Sequence, residues 1–125
     1  MGGLQVKKIT GTRDVTMALT RDFKETIMAR IQKDTRFRRA LLAEAVETLL
    51  DGDLDTGKAL LRDYINATIG FEALAKEIDK DSKSVHRMLG SRGNPTAENI
   101  FTIVKILQVV TDISLHVKAN QHKAA

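Results

Sequence analysis

Lys83 and Arg87 stand four residues apart in the run Asp81-Ser82-Lys83-Ser84-Val85-His86-Arg87-Met88-Leu89. On a helix that spacing puts both cations on one face, with Ser82, Ser84 and His86 pointing out beside them. Val85, Met88 and Leu89 turn the other way. Cations, hydroxyls and an imidazole on one short helix can donate hydrogen bonds to anionic oxygens and to acceptor atoms on base edges. An arginine can hold guanine through two parallel bonds. Catalytic chemistry is not expected from this set. His86, His116 and His122 are the only histidines, and none has the spacing of a zinc site. No glycine-rich phosphate loop is present, and no nucleophile adjoins a base. The aspartate pairs at 51/53, 53/55 and 79/81 fall in turn sequences, where helix capping accounts for them. The acidic stretch Gly52 to Asp55 lacks the further ligands and the glutamate of a calcium loop. No catalytic, cofactor or metal site is therefore expected.

The polar face must be positioned by the segments around it. Upstream, Phe71, Leu74, Ala75 and Ile78 recur at three- and four-residue spacing, which predicts a helix with one buried stripe. Ala75 is short where the two helices would cross. Asp79-Lys80-Asp81 makes a tight turn that needs one left-handed residue, a conformation aspartate tolerates. Asp81 or Ser82 can cap the next helix by accepting its free amides. Downstream, Ser91-Arg92-Gly93 reads as a loop, and Asn94 as the cap of a helix whose first residue is Pro95. That helix is expected to run to about Val110, with Ile100, Phe101, Ile103, Val104 and Leu107 packed inward, and to break at Asp112. A helix, a tight turn and a second helix with polar N-terminal turns is the layout of a helix-turn-helix DNA reader.

The pattern Leu74-Ala75, Ile78, the turn, Val85, Arg87 and then Gly-Asn-Pro before an apolar helix resembles the XRE (lambda-repressor-like) family. Two positions depart from it. Asp79 stands where that family usually has glycine, and Phe71 replaces the usual polar residue that touches phosphate. A longer resemblance runs from about Met17 to Val117, roughly four-fifths of the chain. The stretches MALTRDFKETI, AEAVETLLDGDLDTGKALLRDYINATIGFEALA and MLGSRGNPTAENIF are similar to the HigA-like "probable addiction module antidote" proteins. These are small bacterial antitoxins encoded beside a toxin of the RelE/ParE-like superfamily. The resemblance implies an all-α, five-helix lambda-repressor-like domain with an N-terminal helical extension. It also implies a DNA-binding antitoxin that represses its own operon and neutralises a RelE/ParE-like toxin; the alternative is a solitary XRE-type regulator without a toxin. Ser82, Lys83 and Arg87 match the positions that read bases in the related repressors. Ser84 and His86 would contact phosphate or the edges of the site. Arg92, with amides at the start of the helices over 71–78 and 96–110, would hold the sugar-phosphate backbone.

Composition agrees with a protein of this kind and excludes others. A chain of 125 residues with 42% hydrophobic content can bury a real core. A net charge of +4 and a pI near 9.5 suit a polyanionic partner. The absence of cysteine rules out disulfides, thiolate catalysis and cysteine-based zinc sites. No run reaches the length of a membrane span and no apolar signal core is seen, so a cytoplasmic protein is expected, and the resemblance implies a bacterial one.

Residues 1–16 read as a flexible tail, or else as a basic arm with Lys7, Lys8 and Arg13 on DNA. Residues 17–117 read as one helical domain. Its first helix begins at Thr20 with Phe23, Ile27 and Ile31 on one face. The second spans about Thr35 to Leu50 and ends at Asp51-Gly52-Asp53, completing the N-terminal helices over 20–50. A third from about Thr56 to Ile69 opens the reader core over 56–110. Ile113-Ser114-Leu115-His116-Val117 alternates in strand fashion, and a lone strand must pair with something. Pairing Ile113, Leu115 and Val117 with the same strand of a second copy would give a symmetric homodimer suited to a palindromic operator. Residues 118–125 read as a tail. For a basic toxin, Glu44, Glu47, Asp51, Asp53 and Asp55 are better contacts than the basic run Arg36, Arg38 and Arg39.

Overall fold

Acidic and hydroxyl side chains mark the helix starts, because the first amides of a helix have no partner inside it. The computed structural model of the chain describes residues 25, 26 and 28–121. Asp34 accepts from the amides of Arg36 (3.0 Å) and Phe37 (3.1 Å), opening α2 (Thr35–Leu50). It thereby separates α2 from α1, the helical residues 25, 26 and 28–33. Asp53 accepts from Thr56 at 3.2 Å and opens α3 (Leu54–Ala67). Gly70 precedes α4 (Phe71–Glu77), Asp81 opens α5 (Ser82–Met88), and Thr96 opens α6 (Ala97–Thr111). All the regular structure among the described residues is helical, and no strand occurs among them.

Helix ends follow the same economy of backbone partners. At the end of α2, Asp53 N–H donates to Thr48 O and Gly52 N–H to Leu49 O, with Gly52 at φ 90°. The left-handed glycine turns the chain back so that α2 and α3 pack along each other. Asp112 does the same for α6 at φ 57°, and it ends the helix as expected.

The core draws on every helix. Ile31 from α1, Leu42 and Ala45 from α2, and Leu61, Tyr64 and Ile65 from α3 are buried with Leu74, Val85, Leu89, Ile103 and Leu107. Tyr64 carries the polar atom in this set. Its hydroxyl donates to Thr111 Oγ1 at 2.9 Å, and burial pushes its pKa up. That bond ties α3 to the end of α6 without leaving a buried donor unmet.

Several boundaries differ from the expectations above. α3 begins at Leu54, two residues before Thr56, because the Asp53 carboxylate reaches the Thr56 amide and lets the helix start immediately. α6 begins at Ala97 with Thr96 as its cap, not with Asn94 and Pro95. The Thr96 hydroxyl, 3.1 Å from the Asn99 amide, serves as the acceptor, and Pro95 and Ile100 then flank the cap within one apolar cleft. That is the arrangement of a hydrophobic staple.

Residues 113–121 adopt no regular structure. The expected strand at 113–117 is not formed, and the other described residues contain no strand whose amides and carbonyls it could join. Thr20, Phe23, Ile27, the 1–16 segment with Lys7, Lys8 and Arg13, and His122 lie outside the described residues. Among the described residues, no helix is long and apolar enough to cross a membrane.

Candidate nucleic-acid interface

α4 and α5 pack against each other across a turn whose geometry follows from one residue. Asp79 lies at φ 56°, in the left-handed region. Lys80 N–H donates to Ala75 O (2.9 Å) and Asp79 N–H to Lys76 O (3.2 Å). This pair of bonds is the Schellman motif, in which the left-handed position usually falls to glycine. Aspartate therefore performs here the function expected of it from the sequence. Leu74 and Ala75 are buried beneath the turn, and Ile78 is half-buried at its edge.

The Asp81 carboxylate starts α5 by accepting from the Ser84 amide at 2.7 Å. The Ser84 side chain and amide hold its pKa below the usual carboxylate range, with Arg87 adding to the effect. Asp34 is lowered likewise, the Phe37 amide being the largest cause. Depressed carboxylate pKa values contribute stability that is complete above the unfolded-state value of about 3.9. It is lost as pH falls through the folded values. Urea midpoints should therefore drop on acidification below about pH 4, and Asp81→Asn should flatten the part owed to α5. An unchanged acid slope in that variant would contradict the capping role.

Along α5 the two faces separate as the spacing predicts. Val85 and Leu89 are fully buried and Met88 half-buried, whereas Lys83, His86 and Arg87 are exposed and Ser82 and Ser84 half-exposed. Arg92 is exposed in the turn that follows. The ion pairs among the described residues join Arg30 to Asp34 and Lys58 to Asp55, so Lys83, Arg87 and Arg92 belong to none of them. The His86 ring lies 4.4 Å from that of Phe71, which is buried at the start of α4. Phe71 thus gives His86 a ring to rest on, and with it a second link between α4 and α5.

The C-terminal end of α5 is held from below by two cations that sequence reasoning missed. Lys58 Nζ donates to Gly90 O (3.0 Å) and Gly93 O (2.8 Å), and Arg62 Nη1 donates to Leu89 O. Lys58 is only 4% exposed. Both residues sit on α3, and both meet carbonyls at the negative end of the α5 dipole. The available signal was positional: Lys58 falls on the stripe of Leu54, Leu61 and Ile65, where an apolar residue is expected. A lysine on that stripe asks for buried acceptors.

The remaining expected contacts are placed as follows. Arg36 and Arg39 are exposed, but Arg38 is half-buried and donates to Ile31 O at 2.9 Å, so the basic run is not one surface. Glu44, Glu47, Asp51, Asp53 and Asp55 are all exposed, along the second half of α2, the turn after it and the first turn of α3. Ile113 is buried in the chain's own core, Leu115 packs partly against it, and Val117 is 84% exposed. The Leu115 amide donates to Gln108 Oε1 at 2.8 Å.

Compared with protein-family models, with curated proteins and with solved structures, the chain gives no match.

Proposed function

We propose that this chain is a sequence-specific DNA-binding protein in which α4 and α5 act as a helix-turn-helix and α5 lies in the major groove. One observation carries the reading. A seven-residue helix, capped at its start and held at its end, turns Val85 and Leu89 into the core and Lys83 and Arg87 outward. Such a helix presents its cations at fixed positions, which base recognition demands. In this reading Ser82, Lys83 and Arg87 contact base edges, and Ser84 contacts phosphate. His86 lies against Phe71 and contacts the margin of the site. Arg92 holds the backbone beside it.

A single module of this size buries too little surface for tight specific binding, so two copies on a palindromic operator form the working unit. The role of antitoxin and autorepressor, with a RelE/ParE-like toxin as protein partner, rests on the sequence resemblance from Met17 to Val117. The exposed carboxylates from Glu44 to Asp55 are the surface that suits a basic partner.

Mobility shift with DNA from immediately upstream of the chain's own coding sequence tests the DNA reading. Arg87→Ala should narrow the preference for operator over scrambled DNA by roughly tenfold, the worth of one good bidentate contact. Arg92→Ala should weaken both complexes alike and flatten the salt dependence. If both variants bind like wild type, α5 is not docked as described. Co-purification with the product of the adjacent reading frame tests the antitoxin role separately. No binding across a clean titration would leave a solitary regulator with the same DNA chemistry.

A further inference from the structure

The exposed side of α6 carries large apolar groups that the other described residues leave uncovered. Phe101 is 66% exposed and Val109 71% exposed. Glu98, Phe101, Lys105 and Val109 follow one another at spacings of three and four, so they form one stripe along the helix. Phe101 also stands at the lip of an open apolar cleft of about 300 Å³, formed with Leu49, Leu50, Leu54, Pro95 and Ile100. Leu50 and Leu54 are themselves 64% and 51% exposed. The apolar surface is thus continuous from α6 across to the α2–α3 turn.

The charges on the stripe indicate what covers it. Glu98 and Lys105 are exposed, and neither forms an ion pair among the described residues. They flank Phe101 with opposite signs, an order complementary to its own reverse. An isologous contact requires a surface of that kind. In an antiparallel pair of α6 helices centred between Phe101 and Thr102, each Glu98 comes level with the partner's Lys105. The two Phe101 rings then flank the two-fold axis, each beside the other copy's cleft.

We propose that this face of α6, with the cleft beside it, is the contact between two copies of this chain. The proposal deepens the two-copy reading above and rests on it for its biological role, but its test uses no DNA. It also moves the expected contact away from Ile113, Leu115 and Val117, the first of which is already buried in its own chain.

The test is sedimentation velocity on the full chain at about 100 µM, where a micromolar contact is largely formed. Wild type should sediment as a dimer and Phe101→Asp as a monomer. The exposure of Phe101 lets that variant keep its helical circular dichroism. Glu98→Lys and Lys105→Glu should each raise the dimer dissociation constant by about tenfold, and the double reversal should restore most of the loss. A monomeric wild type, a dimer that survives Phe101→Asp, or a double reversal no better than the singles would overturn the proposal. So would loss of the dimer in Val117→Asp but not in Phe101→Asp, which would place the contact on 113–117. Failure to bind DNA by a well-formed dimer would count against the DNA reading and leave this contact standing.

Discussion

Gly93→Ala is expected to be among the most damaging single-methyl changes in this chain. A Cβ at Gly93 would collide with the carbonyl oxygens of Arg87 and Met88. These are backbone atoms at the end of α5, not the tips of flexible side chains, so the added methyl cannot be accommodated by a rotamer change. Either the loop lifts off α5 or α5 shifts. Overpacking of this kind costs about 1–3 kcal/mol, and a clash with main chain belongs at the upper end. Gly90 provides the control, because a Cβ there meets Arg87 O at 3.3 Å, a tight approach that a small shift relieves. Thermal melts of the two variants should therefore diverge, with Gly93→Ala well below Gly90→Ala. Equal melting temperatures would show that the loop does not need its close seat on the helix.

Lys58→Met should destabilise the same junction from the opposite side. Methionine matches the length and apolar character of the lysine stem, so packing changes little. What is lost is the ammonium with its two bonds, to Gly90 O and Gly93 O, and its 3.8 Å ion pair with exposed Asp55, which adds little. Hydrogen bonds to a charged donor contribute about 1.5–3 kcal/mol each. The carbonyls of a half-buried loop can regain some of this from water, so a loss of about 3 kcal/mol in all is expected. Urea denaturation reads the stability directly. Under the DNA-binding proposal, operator affinity at a temperature where the variant stays folded reads the loop, and it should fall by a similar factor for cognate and scrambled DNA. A variant as stable as wild type would mean that the buried ammonium contributes nothing net.

The two positions explain what was legible in the sequence and what was not. Periodicity located α2, the stripes of α4 and α5, and Ile100, Ile103, Val104 and Leu107 on the inward side of α6. Phe101, expected to pack inward with them, is instead 66% exposed, because the buried stripe of α6 runs through Ile103, Val104 and Leu107. Those signals depend on burial along a single helix. A left-handed aspartate in this turn was legible because a turn of that length leaves few backbone solutions, and the structure places it at Asp79 and not at Asp81. Caps were less certain: both Asn94 and Thr96 can accept an amide, and the choice went to Thr96 once Pro95 and Ile100 shared an apolar cleft. The Lys58 and Arg62 bonds were not legible, because they span 27 to 35 positions and end on carbonyls, which carry no sequence identity. The fate of 113–117 depended on whether a second strand lay within reach, and alternation alone does not report that.

The brevity of α5 has a consequence for how the chain opens. Helices shorter than about 12–15 residues are marginal on their own in water, and α5 has seven. It therefore has little helical order of its own to retain once the Lys58 and Arg62 bonds and the burial of Val85 and Leu89 are gone. Amide protons of α5 should exchange with solvent through the same opening that releases α3, at the same free energy, and not through an easier local fraying. A protease or chaperone that catches that opened form would remove the exposed cationic face and the core in one event. How long that face persists in a cell would then be set by the frequency of this opening.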